Sequence, residues 1–147
     1  MITPSPTTKI ASYLARGVLG ALSPATATKP AYLVLEVPNT SYQLHLLPLG
    51  SISIAPGKRL VGVVRAQARR VDVVSSGGRY VEPVAGRPRR VQGTVIATDA
   101  SSNTITVNAG VPIVLKLTDE RQRAEQFKEA DFVSCDVLDG ATFTPEA

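Results

Sequence analysis

Lys58-Arg59-Leu60-Val61-Gly62-Val63-Val64 returns 31 residues later as Arg89-Arg90-Val91-Gln92-Gly93-Thr94-Val95. Each stretch opens on two cations, alternates apolar side chains on one face and carries a glycine at the same place. Period-two alternation marks a half-buried strand. A glycine inside a strand gives up side-chain packing, so its double occurrence predicts a bend or a close approach of another backbone. Each copy leads into a second strand, residues 70–74 after the first and Thr104–Asn108 after the second. The predicted core faces are Leu60, Gly62, Val64, Val71 and Val73 in one hairpin, and Val91, Gly93, Val95, Ile105 and Val107 in the other.

Upstream, residues 32–37 and 42–46 alternate across Pro38-Asn39-Thr40-Ser41 and form a further hairpin, with Val37 opposite Tyr42, Leu35 opposite Leu44 and Leu33 opposite Leu46. Pro48 and Pro56 mark an edge or bend around a short strand at 51–55, and Ser75-Ser76-Gly77-Gly78 turns the chain into a strand at 79–84. Downstream, residues 111–117 alternate again. Asp119 then opens a helix over 119–130, with Gln122 at capping-box spacing and Ala124 and Phe127 on its buried side. A strand at 132–138 follows, and Asp139-Gly140 turns it into a last strand at 141–144. From Arg90 on, the order strand, strand, strand, helix, strand, strand resembles the OB-fold, a five-stranded barrel. The resemblance covers about the last 55 residues and rests on element order, so it transfers no functional residue.

At the other end, residues 1–8 and 23–31 read as Pro-, Thr-, Ser- and Ala-rich linkers around a helix at 9–22. Ile10, Tyr13, Leu14, Val18 and Leu22 make its apolar stripe, and Gly17 and Gly20 each cost it about 1 kcal/mol. Such a helix needs a surface to dock on, either its own domain or another subunit as an oligomer arm. The expected fold is therefore mainly β: one or two small antiparallel β-barrels, the C-terminal half OB-like, with an N-terminal helix and a short helix near 119–130. The expected division is a helical arm with linkers at 1–30, a hairpin and barrel half at 31–88 and an OB-like half at 89–147; residues 31–147 also read as one continuous domain.

The 147 residues include a single cysteine, Cys135, so no internal disulfide forms. No apolar run approaches the ~20 residues of a membrane span, and Arg16 interrupts the apolar stretch that would serve as a leader. A cytoplasmic protein without membrane contact is the expectation. Charge is uneven. Between residues 58 and 90, Lys58, Arg59, Arg65, Arg69, Arg70, Arg79, Arg87, Arg89 and Arg90 face only Asp72 and Glu82, whereas residues 119–147 carry a net charge of −5. A basic middle fits an anionic partner, nucleic acid first; arginines that decorate solvated faces give the same pattern. The candidate anion or interface residues are Arg59, Arg65, Arg69, Arg70, Arg79, Arg87, Arg89 and Arg90. In a hairpin of the first copy, Arg65 and Arg70 stand opposite each other on an outer face shared with Val61, Val63 and Val74. Opposed like charges repel unless an anion bridges them.

Catalytic and metal chemistry find little support. His45 is the only histidine and lies diagonal to Glu36 across the first hairpin, a common structural pairing. Cys135 shares a face with Val133 and Val137 and reads as a buried small hydrophobe. One His and one Cys make no zinc pattern, and Ser75–Gly78 lacks the lysine and helix of a phosphate loop. No cofactor is implied. The leading expectation is a non-enzymatic β-barrel binding module for nucleic acid. The alternative is a structural protein that forms homo-oligomers through an Arg-rimmed apolar face and the N-terminal helix.

Overall fold

The computed structural model describes residues 13–146, and in it the alternating stretches of sequence become paired strands. The strands are β1 (Ala15–Ser23), β2 (Tyr32–Glu36), β3 (Gln43–Pro48), β4 (Arg59–Val73), β5 (Tyr80–Glu82), β6 (Ala85–Gly86), β7 (Arg90–Asp99), β8 (Thr104–Asn108), β9 (Pro112–Leu117), β10 (Phe132–Val137) and β11 (Thr142–Pro145). They join in one mixed sheet of 11 strands. The hairpin registers expected from sequence hold where Leu33 pairs with Leu46 and Leu35 with Leu44. The second copy of the repeat is the β7–β8 hairpin, with Val91, Gly93, Val95, Ile105 and Val107 buried.

The first copy is not a hairpin. Residues 59–73 run through as the single 15-residue strand β4, and Val73 is 62% exposed. The physical reason lies in Arg65-Ala66-Gln67-Ala68-Arg69, which keeps strict alternation and offers no Gly, Pro, Asn or Asp at which to turn. The first half of β4 pairs with β1 and β11, and the second half with β9 and β10. Following neighbours leads from β4 through β1, β2, β3 and β11 back to β4, and from β4 through β10, β7, β8 and β9 back to β4. The sheet is thus two closed circuits with one shared strand.

The two circuits repeat one plan. Leu33–Leu46 and Leu35–Leu44 in the first correspond to Ile105–Leu115 and Val107–Ile113 in the second. The bulge between Leu19 and Ala21 in β1 corresponds to that between Val95 and Ala97 in β7. Two residues before each bulge stands a glycine, and a Cβ there would strike a carbonyl oxygen, that of Glu36 at Gly17 and that of Asn108 at Gly93. At Gly62 it would strike the Thr144 carbonyl and the Phe143 ring. The close approach expected at Gly62 and Gly93 is therefore present. The fifth member of each circuit comes from the other half of the chain: β11 lies parallel to β3, and the second half of β4 lies parallel to β9.

Three expectations need correction. The segment expected as an apolar helix is β1 from Ala15 on, because Gly17 and Gly20 permit close pairing with β2 and both edges of β1 find partners. The helix at 119–130 contracts to a single 3-10 turn, Ala124–Gln126. There, Asp119 accepts from the Arg121 backbone and guanidinium instead of capping, and Gln122 bonds both the N–H and the C=O of Val71. Ala124 and Phe127 are still its buried side. Finally, the sheet is not purely antiparallel, since β3–β11, β3–β6 and β4–β9 run parallel, and the last strand leaves residues 90–137 to close the first circuit.

One continuous core fills both circuits, with Phe143, Leu19, Leu33, Leu35, Leu44, Leu46, Ile105, Ile113 and Leu115 fully buried. Phe143→Ala is expected to cost about 3–5 kcal/mol in urea unfolding. Because β4 belongs to both circuits, the loss should appear as a shift of one transition followed by circular dichroism; separate transitions would contradict the shared strand.

Candidate ligand-binding cleft

The outer face of the first hairpin is built by alternation. With Leu33, Leu35, Leu44 and Leu46 turned inward, Tyr32, Val34, His45 and Leu47 turn outward and are half-buried. His45 lies opposite Val34 and diagonal to Tyr32, and the Tyr32 and His45 rings stack with centroids 4.8 Å apart and planes 14° off parallel. His45 therefore pairs with an aromatic ring, not with Glu36.

Three loops wall this stacked pair. Between β1 and β2, the Thr26 hydroxyl accepts from the Lys29 backbone at 3.1 Å, and Thr26 N–H donates to the Lys29 carbonyl at 2.8 Å, a tight turn that sets Lys29 at the rim. On another side β6 lies along β3 and presents Arg87. The third wall is Asp139-Gly140-Ala141, the turn into β11. The cleft so enclosed measures about 450 Å³.

A larger open groove of about 740 Å³ lies beyond the same turn, lined by Arg69, Arg87, Arg89 and Arg90 with Glu82, Asp136 and Asp139. Arg87 and Asp139 line both hollows, so cleft and groove adjoin. Arg89 is held by its backbone, whose N–H donates to Glu82 and whose carbonyl accepts from Val137. A third hollow, of about 310 Å³, places Arg65 and Lys116 against Leu138, Asp139 and Gly140.

The eight arginines singled out in the sequence thus separate. Arg69, Arg87, Arg89 and Arg90 share the groove, and Arg65 stands beside it. Arg59 lies with Arg16, Leu14 and Val18 at another hollow, and Arg79 is exposed. Arg70 lies with Arg65 on the single strand β4, so the two do not oppose each other across a hairpin, and Arg70 pairs with Asp72 at 3.1 Å. Arg90 is committed to the protein: its guanidinium donates to Tyr80, Asp136 and Ser134, and the bonds to Tyr80 and Asp136 raise its pKa further. Arg69 and Arg89 are exposed and have no ion-pair partner among the described residues. Of the residues expected on a helical arm, Ile10 lies outside the described residues, Tyr13 and Leu22 are exposed, and Leu14 and Val18 are half-buried.

Sequence reasoning missed Lys29 and the Tyr32–His45 pair. The signal for the pair was available, because the register that sets Leu33 against Leu46 also sets Tyr32 and His45 on one outer face. Among the described residues, no three His, Cys, Asp or Glu side chains gather to hold a metal ion, and no helix is long and apolar enough to cross a membrane. Comparison with known proteins finds no match among family models, curated proteins or solved structures.

Cys135 is buried in β10, and burial first, then the charge of Asp136, pushes its thiol up to about 12. The raised value means that unfolding releases this proton more readily than the fold does, so its contribution to stability falls as pH rises from 9.0 toward about 12. At about pH 8 the native thiol should resist Ellman's reagent and react once urea unfolds the chain. Rapid stoichiometric reaction of the native protein would contradict this burial.

Proposed function

We propose that this chain is a non-enzymatic binding module for single-stranded nucleic acid. Bases stack at the Tyr32–His45 pair, and phosphates lie on Lys29, Arg87 and the groove that holds Arg69 and Arg89. The observation that carries the reading is one stacked aromatic pair set between cations from two different loops. Stacking platforms beside a positive groove are the physical recipe for holding single strands, each stacked base adding about 1–3 kcal/mol.

We further infer that each circuit is a small barrel of the OB type. In the first, β1, β2, β3, the first half of β4 and β11 take the places of strands one to five, with the fifth parallel to the third. In OB-folds the outer face of strands two and three, flanked by the loop between the first two strands and the loop before the fifth, receives oligonucleotides. The cleft has those walls: β2 and β3, residues 28–30, and residues 139–141. This is an argument from fold, and the stacked pair supports it independently.

A second reading, homo-oligomeric assembly, draws on a different surface. Leu22 and Leu49 are 42% and 48% exposed, and Leu22 lines a shallow apolar hollow with Pro24, Ala31, Pro48 and Ile52. Light scattering after gel filtration at low and high salt separates the two readings. A monomer removes assembly.

Fluorescence anisotropy with a short labelled mixed-sequence DNA or RNA strand tests the first. Affinity should fall with salt, each phosphate contact contributing a slope of about −0.7. Tyr32→Ala should weaken binding roughly tenfold, in line with loss of one stacked base. Joint replacement of Arg69 and Arg89 by Gln should flatten the salt dependence. No binding at low salt, or binding indifferent to Tyr32→Ala, would overturn the proposal.

A further inference from the structure

We propose that Asp139 is an electrostatic gate on this surface, holding Arg87 in place of a phosphate until a nucleic acid displaces it. The inference rests on the nucleic-acid reading above and names the residue that limits its affinity.

Asp139 lies in the wall of the cleft, of the arginine groove and of the hollow beside Arg65 and Lys116, so one acidic residue borders all three. Its Oδ2 accepts from Arg87 Nη1 at 2.8 Å. A phosphate oxygen on the same guanidinium would make the same kind of charge-assisted bond, so carboxylate and phosphate compete for one donor.

The Arg87–Asp139 ion pair does not hold the fold. Its side chains are 68% and 65% exposed, and exposed pairs contribute little to stability. The turn is fixed by other bonds: Leu138 N–H donates to Gln67, Leu47 N–H to Ala141, and Gly140 takes a φ of 105° suited to glycine. The carboxylate is thus held in place on a rigid turn, while its partner arginine is free to leave it.

The chemistry that follows is simple competition. With Asp139 ionised, Arg87 is neutralised, and a phosphate that takes Arg87 must break the pair and leave the Asp139 carboxylate beside it uncompensated. Lys29, Arg69 and Arg89 are then left to draw the strand in. The gate lowers affinity for polyanions in general and leaves stacking at Tyr32 and His45 to favour nucleic acid over a bare polyanion.

Asp139→Asn removes the charge and keeps a side-chain oxygen to accept from Gly140 N–H, as Asp139 Oδ1 does at 3.0 Å. The labelled strand of the previous section and unlabelled inorganic polyphosphate, as competitor, serve as probes, with circular dichroism verifying the fold. Asp139→Ser is the second variant should the first be impaired. The affinity of the variant for the strand should rise roughly three- to tenfold at low salt, with the gain shrinking as salt screens it. Polyphosphate should gain by a similar factor, and adding Arg87→Gln should remove most of the gain. If wild type binds the strand and Asp139→Asn binds it equally or more weakly, the gate is overturned and the nucleic-acid reading stands. If wild type does not bind the strand at low salt, both fall.

Discussion

The continuity of β4 is the constraint on which the rest depends. Every backbone N–H and C=O buried along these 15 residues must be paired, and no single circuit could pair them all. The strand solves this by changing partners: at Gly62 its neighbours are Ala15 and Pro145, at Arg65 they are Thr142 and Val114, and at Ala68 they are Leu117 and Val137. Small residues sit where the two circuits meet. Ala66 and Ala68 are buried there, and Gly62 leaves room for the Phe143 ring. A turn anywhere between residues 62 and 68 would cut both circuits.

Repetition of one plan with exchange of the fifth strand explains how one chain carries two circuits, of which the first presents the stacked Tyr32–His45 pair. The positions of Tyr32 and His45 correspond in the second circuit to Thr104 and Val114, which offer no aromatic face. Nearby, Lys116 reaches across its own hairpin to the Ser102 carbonyl. The second circuit also bears on the first. Its β10 leads into the Asp139 turn, and the excursion through β5 and β6 brings Arg87 to the first circuit. The Tyr42 hydroxyl ties these pieces together: it donates to the Ala109 carbonyl and accepts from Val81 N–H, and burial raises its pKa first of all causes.

Local pattern was legible in the sequence, and long-range partnership was not. Strict alternation with two apolar pairs gave the β2–β3 register, and the β7–β8 core face was readable from the same rule. The similarity of residues 58–64 and 89–95 misled, because it suggested a hairpin in which Arg65 would oppose Arg70. The repeated structural plan aligns β1 with β7, where glycine and bulge recur with different side chains around them. Residues 9–22 fitted a helical stripe as well as a strand, and only pairing with β2 and β4 decides between them from Ala15 on. The grouping of Arg69 with Arg87 and Arg89 needs β10 between their strands, which no spacing in the sequence reveals.

The measurement that bears most directly on this account is a titration of isotope-labelled protein with a short single strand, followed residue by residue through amide chemical shifts. The account requires perturbations that run continuously from Lys29, Tyr32 and His45 past Arg87 and Asp139 to Arg69 and Arg89, with the outer face of Thr104 and Val114 silent. Shifts confined to the apolar surface around Leu22 and Leu49, or none at all, would contradict it.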